Sequence, residues 1–196
     1  MTRPSGKGAI RAFIAVNLPA SVKEALGELQ KSMSQAGLKA RWAQHMGIHV
    51  TLKFLGVVSD DRVPAIRAAM EEAAGGFRPM EARVAGVGAF PNERWPRVVW
   101  VGLDEPTGDL AALHARLEAA LEPLGFEPEG RPFRSHLTLA RIKVPARAGP
   151  VAQALEEHRG VDLGKITVDR IVLYQSTLKP SGALYTALEE VFLEEA

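Results

Sequence analysis

The sequence of 196 residues contains no cysteine, which excludes disulfide bonds, thiolate metal sites and a cysteine nucleophile. It also lacks any apolar run near the roughly 20 residues that a membrane-spanning helix requires, so we expect no membrane attachment and a cytoplasmic location. A charge excess is missing as well, because 24 basic and 23 acidic residues give a formal net charge of +1. This balance argues against a broad nucleic-acid platform, which is normally strongly basic.

Acidic side chains are absent from two long stretches of this balanced chain, residues 29–59 and residues 130–155. The basic residues in these stretches are Lys31, Lys39, Arg41, Lys53, Arg131, Arg134, Arg141, Lys143 and Arg147. This layout favours a locally positive cleft on a near-neutral protein, suited to a small phosphorylated group. Accidental clustering on solvated faces is the alternative, and it is less plausible for two stretches than for one.

A His-x-Thr-x pattern occurs once in each acid-free stretch, as HVTL from His49 and as HLTL from His136. Five His and seven Thr in a chain of this length would give only about 0.2 such pairs by chance. Side chains alternate faces along a strand, so each copy presents an imidazole and a hydroxyl on one face, about 7 Å apart. The primary site candidates are therefore His49, Thr51, His136 and Thr138.

Two imidazoles facing one cleft can divide the work of breaking a P–O bond. With an ordinary pKa of about 6.5, one can deprotonate the attacking nucleophile while the other protonates the leaving oxygen. The neighbouring threonine hydroxyls can hold nonbridging phosphate oxygens and stabilise the charge that develops on them. This chemistry requires neither a metal nor a cofactor.

Other interpretations of the histidines are weaker. Structural histidines with satisfied hydrogen bonds are the usual finding for a lone His, but the matched threonines disfavour this explanation. A metal site normally needs carboxylates or further histidines, which the acid-free surroundings lack, and no Gly-x-Ser-x-Gly segment indicates a serine hydrolase. His45, His114 and His158 have no threonine two residues later, so we expect them at the surface or in connections.

Hydrophobic periodicity predicts alternating strands and helices after a polar tail over residues 1–8. Strands are predicted over residues 9–18, 48–55, 80–90, 97–103, 133–142 and 165–175, and helices beginning at Ser21, Asp60 and Thr107, with a short one over 150–159. The sequence also predicts a strand over residues 183–192 but does not indicate where in the fold it lies.

Strict alternation in the first motif strand predicts a buried face and an open face. Ile48, Val50, Leu52 and Phe54 would form the buried face. Lys53 would then share the open face with His49 and Thr51. There it would either meet a phosphate backbone or carry a charge at the rim of the cleft.

Matched spacings around the two motifs indicate an internal duplication. An aromatic residue, Phe13 or Trp100, stands 36 positions before each motif histidine, and an aliphatic residue, Val84 or Ile171, stands 35 positions after it. A repeat with an offset near 87 explains both spacings.

The repeat sets the fold class that we expect. We predict a single α+β domain over residues 1–196, bilobal, with duplicated halves at about residues 9–90 and 97–176 related by a pseudo-two-fold axis. Mainly antiparallel sheets would line a central cleft, with the helices outside.

Five segments, in order along the chain, resemble a known family. They are RAFIA at 11–15, HVTLKFLG at 49–56, FP at 90–91 with PRVVWVG at 96–102, FRSHLTLAR at 133–141 and LYQS at 173–176. Together they span nearly the whole chain and resemble the two-histidine (2H) phosphoesterase superfamily. The closest resemblance is to its RNA 2′,3′-cyclic phosphodiesterase branch, historically called 2′-5′ RNA ligase.

The resemblance implies metal-independent hydrolysis of an RNA terminal 2′,3′-cyclic phosphate to a 2′-phosphate end. One of His49 and His136 would activate water and the other would protonate the leaving 3′-oxygen, while Thr51 and Thr138 contact the phosphate. The partners implied are RNA 3′ ends or small nucleotide cyclic phosphates, bound by a monomer. The open alternatives are a small cyclic nucleotide as substrate, reversible 2′-5′ RNA ligation, and a non-catalytic module that binds RNA ends.

Further substrate contacts are implied around the motifs. Arg141 matches a family position that assists phosphate binding. Strict alternation would put its side chain on the other face of the strand from His136, so a twist or strand end beyond Ala140 has to turn it inward. Arg11, Phe13 and Trp42 could line the cleft and stack on a base. For Phe13 and Trp42, a place in the core is an equal alternative.

Overall fold

The computed structural model describes residues 8–142, 149–180 and 182–194, so most of the predicted polar tail, Lys143 and Arg147 lie outside the described residues. The strands are β1 Ala9–Val16, β2 Arg41–Trp42, β3 Val50–Ser59, β4 Met80–Phe90, β5 Val98–Asp104, β6 His136–Arg141, β7 Asp162–Val168, β8 Arg170–Lys179 and β9 Gly182–Phe192. The helices are α1 Ala20–Gln35, α2 Val63–Ala74, α3 Asp109–Leu121 and α4 Gly149–Glu157, and short 3₁₀ turns occupy His45–Gly47, Asp60–Arg62 and Glu122–Leu124.

The helices form where the apolar spacing predicted them. In α1, Val22, Leu26, Leu29 and Met33 recur at three- and four-residue intervals and all four are buried. One strand prediction is wrong, since residues 165–175 belong to two strands. The chain leaves β7, which pairs with β4, and enters β8, which pairs with β1, so a single continuous strand cannot serve both partners.

The strands form one antiparallel sheet in the order β7-β4-β5-β6-β3-β1-β8-β9, with β2 beside β6. The predicted α+β class with antiparallel strands is confirmed, and the two motif strands, β6 and β3, lie at the centre. They are joined in the described residues by one pair, Val50 and Leu137. The final segment of the chain, which the sequence did not place, is β9 at the edge beside β8.

One strand of each predicted half lies on the side of the sheet that holds the other motif. β4 precedes β5 along the chain and pairs with it, on the side of the second motif strand. β8 follows the second motif and pairs with β1, on the side of the first motif strand. Each predicted half therefore supplies one strand to the side of the sheet that holds the other motif.

The two motif strands pair with their outer neighbours, β3 with β1 and β6 with β5, in registers that differ by two residues. Thr51 lies opposite Ala15 of β1, whereas Thr138 lies opposite Trp100 of β5. The equal sequence spacing of Phe13 and Trp100 therefore does not mark equivalent positions in the sheet.

One face of the sheet is buried under the helices. Ile14, Val99 and Leu137 are fully buried and belong to the same hydrophobic core as Leu26 of α1 and Leu117 of α3. The opposite face is not covered by the helices and carries the motif histidines and threonines. Within the described part of the chain, none of the helices combines the length and apolar character that a bilayer span requires.

Candidate active site

The four motif side chains lie together at the centre of the open face. Val50 and Leu137 are paired and fully buried, so the residues on either side of each point to the opposite face. Continuing this antiparallel register places each motif histidine beside the threonine of the other strand. Because adjacent strands are about 4.8 Å apart, the four side chains surround a space that suits one small group.

Both imidazoles are oriented by the same hydrogen bond. His49 Nδ1 lies 2.8 Å from the carbonyl oxygen of Gly47, and His136 Nδ1 lies 2.7 Å from that of Arg134, two residues earlier in each case. A carbonyl oxygen can only accept, so Nδ1 carries the proton and donates it. In a neutral ring the lone pair is then on Nε2, which is the atom available for proton transfer.

Aromatic side chains pack around the His49 imidazole and shield it from solvent. The Phe13 ring stacks on it with centroids 4.6 Å apart, Tyr174 stacks on Phe13 at 5.4 Å, and Tyr185 meets the imidazole edge-on at 5.2 Å. Desolvation lowers the pKa of His49 to about 4, with a smaller contribution in the same direction from the Lys23 ammonium, against the hydrogen bond to the Gly47 carbonyl. His49 is therefore neutral at pH 7 in the free protein.

His136 is held by a different aromatic pair. Phe90 meets its ring edge-on at a centroid distance of 4.9 Å, and Trp100 lies 5.3 Å from Phe90. The Trp100 ring covers Gly88, where an added Cβ would be 2.3 Å from the ring. The glycine thus permits the indole to lie flat against β4 beside Phe90.

A β-bulge lies at the last residue of each motif. Leu52 has no partner in β1 and Leu139 has none in β5, so each motif strand carries one extra residue there. Beyond the extra residue the alternation of faces is inverted, and the predicted faces of Lys53 and Phe54 are both wrong. Phe54 lies on the open face with 58% of its surface exposed.

Lys53 is buried on the helix side of the sheet, where it forms an ion pair. Its Nζ lies 2.6 Å from Glu118 Oε2 of α3 and 2.6 Å from the Glu127 carbonyl oxygen, and 3% of its side chain is exposed. The Glu118 carboxylate also accepts from the Glu129 N–H at 3.0 Å. Lys53 therefore joins the first motif strand to the segment that leads to the second motif.

The second bulge turns Arg141 to the open face. Arg141 lies opposite Val98, and Thr138 lies opposite Trp100, two residues further along β5. Val99 between them is fully buried, so Val98 and Trp100 point to the open face. The guanidinium and the Thr138 hydroxyl consequently share that face, as the resemblance requires.

Trp42 faces the other way from the site. It lies opposite Ala140, which is fully buried, and it packs against the hydrophobic core. A role for Trp42 in lining the cleft is therefore wrong. The neighbouring Arg41 lies opposite Arg141 and is exposed on the open face. Arg41 was not among the site residues predicted from the sequence, although it lies in one of the two stretches without acidic residues.

Two residues of β1 differ in what they present to the cleft. Arg11 is exposed, and its alternation with the buried Ala12 places it on the open face. Phe13 touches His49, but only 3% of it is exposed, so its ring is unavailable for stacking on a base. Phe54, 6.2 Å from Phe13 by ring centroids, is the exposed aromatic on this part of the face.

His45 begins the turn that precedes His49, whereas the other two remaining histidines lie away from the motifs. His114 is 9% exposed, stacks on Phe133 at 4.2 Å and has its pKa lowered by desolvation, so its expected surface position is wrong. His158 follows α4 and contacts the Ser32 hydroxyl at 2.8 Å. Within residues 8–142, 149–180 and 182–194, no group of three or more His, Asp and Glu side chains could hold a metal ion.

Comparison with known proteins places these features in a family context. The family model of the 2′-5′ RNA ligase superfamily matches residues 18–180. An RNA 2′,3′-cyclic phosphodiesterase of Thermus thermophilus is 36% identical over 190 residues, covering 94% of this chain and 90% of that protein. One of Methanothermobacter thermautotrophicus is 32% identical over 180 residues, covering 92% and 97%.

A solved structure shows the same architecture. The crystal structure of TT0787 of Thermus thermophilus superimposes with a TM-score of 0.77 at 32% sequence identity, over 94% of this chain and 98% of that one.

Proposed function

Because this chain belongs to the 2′-5′ RNA ligase superfamily, we propose that it hydrolyses RNA ends that carry a 2′,3′-cyclic phosphate and leaves a 2′-phosphate. The observation that carries this proposal is the matched pair of imidazoles, each held by a carbonyl two residues earlier and each beside a threonine. The names of the curated relatives support the cyclic phosphodiesterase chemistry.

The reaction needs one proton removed and one delivered. Nε2 of one histidine takes a proton from water as the water oxygen attacks phosphorus. The bond from phosphorus to the 3′-oxygen breaks, and Nε2–H of the other histidine protonates that oxygen. The products are a 2′-phosphomonoester and a 3′-hydroxyl, and water supplies the added oxygen and both hydrogens.

The surrounding side chains suit a phosphate in this space. Hydroxyl groups of Thr51 and Thr138 donate to nonbridging oxygens, and the Arg141 guanidinium, displaced by two positions of β5 on the same face, adds a positive potential at this phosphate. Phe54, exposed on the same face, provides a surface on which a base stacks irrespective of its identity. The reaction does not use a metal or cofactor.

Product analysis tests this function directly. An oligonucleotide ending in 2′,3′-cyclic phosphate is incubated with the protein and excess chelator, and the product end is identified by chromatography. We expect a 2′-phosphate end, and we expect His49→Ala and His136→Ala each to remove nearly all turnover because base and acid act as a unit. His158→Ala, which changes a histidine that contacts Ser32 away from the motifs, is the matched control.

Several outcomes would contradict the proposal. Absence of turnover with retained binding of the RNA end would indicate a binding module, and a 3′-phosphate product would mean that the wrong P–O bond is assigned. Loss of turnover with chelator would refute metal independence. Near-normal rates in either motif-histidine variant would remove that residue from the mechanism.

A further inference from the structure

Two arginines lie directly opposite each other beside the motif residues. Arg41 of β2 pairs with Arg141 of β6, and both are exposed on the open face. Directly opposed residues in an antiparallel pair have Cβ atoms about 5 Å apart, and like charges at this distance destabilise the pair. Neither arginine forms an ion pair with any carboxylate of the described residues. An anion between the two guanidinium groups would remove this repulsion.

The arginine pair and Phe54 lie at opposite ends of the motif site. Arg141 is displaced from Thr138 by two positions of β5, about 7 Å along the sheet. Phe54 is displaced from Thr51 by two positions of β1, again about 7 Å. Because β3 and β6 are antiparallel, these displacements run in opposite directions. The open face thus presents a cationic end, a central phosphate site and an aromatic end.

The order of these three features matches the order of groups in a nucleotide. In a ribose with a 2′,3′-cyclic phosphate, the base is attached beside C2′ and the 5′ carbon beside C3′, so they project from opposite ends of the ring. With the cyclic phosphate at the motif residues and the base on Phe54, the 5′ phosphate reaches the cationic end. The spacing of about 7 Å suits two phosphates separated by one ribose.

We propose that Arg41 and Arg141 together bind the phosphate on the 5′ side of the terminal nucleotide. The enzyme then selects RNA ends and 5′-phosphorylated nucleotides over nucleoside 2′,3′-cyclic phosphates that have a free 5′-hydroxyl. This inference rests on the proposed function and specifies its substrate. A pair of guanidinium groups suits the task, because each offers a planar set of N–H donors to phosphate oxygens.

Three substrates distinguish the sources of selectivity: adenosine 2′,3′-cyclic phosphate, its 5′-phosphorylated form, and a dinucleotide ending in adenosine 2′,3′-cyclic phosphate. We expect kcat/KM to rise about tenfold from the first to the second, as for one charge-assisted contact at an exposed site. The dinucleotide should gain at least as much. In Arg41→Gln the gain should fall to about twofold or less, with kcat/KM for the first substrate retained. The wild-type gain should shrink with added salt.

Arg78→Gln is the matched control, since it removes an exposed arginine from the connection between α2 and β4. Calorimetric binding of adenosine 2′-phosphate and adenosine 2′,5′-bisphosphate measures the subsite without catalysis, and only the bisphosphate should bind Arg41→Gln more weakly than the wild type. Equal kcat/KM for all three substrates overturns the inference and leaves the proposed function standing. Tighter binding of the bisphosphate without turnover of any substrate supports the subsite and refutes the proposed function. Equal affinity for the two nucleotides refutes the subsite.

Discussion

The buried ion pair between Lys53 and Glu118 is the most testable element of the interior. Replacing Lys53 by Met keeps most of the side-chain volume and removes the ammonium. The Glu118 carboxylate, 11% exposed, would then keep the Glu129 N–H as a hydrogen-bond donor, with His114 Nε2 3.5 Å from its other oxygen, and the Glu127 carbonyl would lose its Lys53 donor. Breaking one side of a buried pair costs about 3–5 kcal/mol, a large part of the 5–15 kcal/mol typical of a folded domain.

Removing both charges should cost much less than removing one. In Lys53→Met with Glu118→Gln, the glutamine oxygen still accepts from Glu129 N–H and no uncompensated charge is buried. We expect this double variant to be within about 2 kcal/mol of the wild type. The coupling free energy between the two positions is then a few kcal/mol, well above experimental error.

Urea unfolding at pH 7.5 measures these differences. With a slope of about 2 kcal/mol per molar urea, the Lys53→Met midpoint should fall by about 1.5–2.5 M, and the second substitution should restore much of that loss. Lys165→Met, at an exposed position of β7, should stay within about 0.5 kcal/mol of the wild type. A loss below about 1 kcal/mol in Lys53→Met, or strict additivity in the double variant, would refute this energetic assignment.

Two further predictions concern the motif histidines. The pKa of His49 is about 4 in the folded protein and about 6.5 when unfolded, so the unfolded chain binds the proton more tightly. Stability should fall by up to about 3 kcal/mol as the pH drops from 6.5 to 4, and in His49→Gln that part of the pH dependence should be absent from urea midpoints; an unchanged slope contradicts the low pKa. Gly88→Ala should displace the Trp100 ring that lies beside Phe90, lowering stability by about 1–3 kcal/mol and reducing kcat. Gly160→Ala, which has open space for a methyl group, is the control, and an unaltered kcat in Gly88→Ala would exclude a role for the ring position.

Alternation along the chain predicted most strands, their antiparallel character and the open face of both motifs. It failed after Thr51, because the period of two holds only while each residue has one partner, and Leu52 has none. Lys53 and Phe54 consequently exchanged faces relative to the prediction. The same extra residue after Thr138 turns Arg141 toward the site. Apolar residues continue to alternate through Phe54, so the bulge is visible only from the strand pairing.

Two other features depend on partners distant in sequence. Trp42 belongs to a strand of two residues, too short for a period to be read, and only its pairing with Ala140 shows which face it takes. The split of residues 165–175 into β7 and β8 follows from their different neighbours, β4 and β1. The hydrophobic pattern of a sequence predicts which residues are buried, but it does not predict which strands are neighbours in the sheet.

The crossing of β4 and β8 makes the two sides of the sheet mutually dependent. A chain cut in the connection between β4 and β5 would yield two pieces that each contain a complete motif. In the first piece β1 would lack β8, and in the second β5 would lack β4, so each would expose a strand edge that is paired in the intact protein. The first piece would keep the pairing of β1 with β3, and the second would keep those of β5 with β6 and of β8 with β9, but the pairing between the two motif strands needs both pieces. A gene encoding only one motif would therefore specify half of the chemistry on strands that lack part of their neighbours.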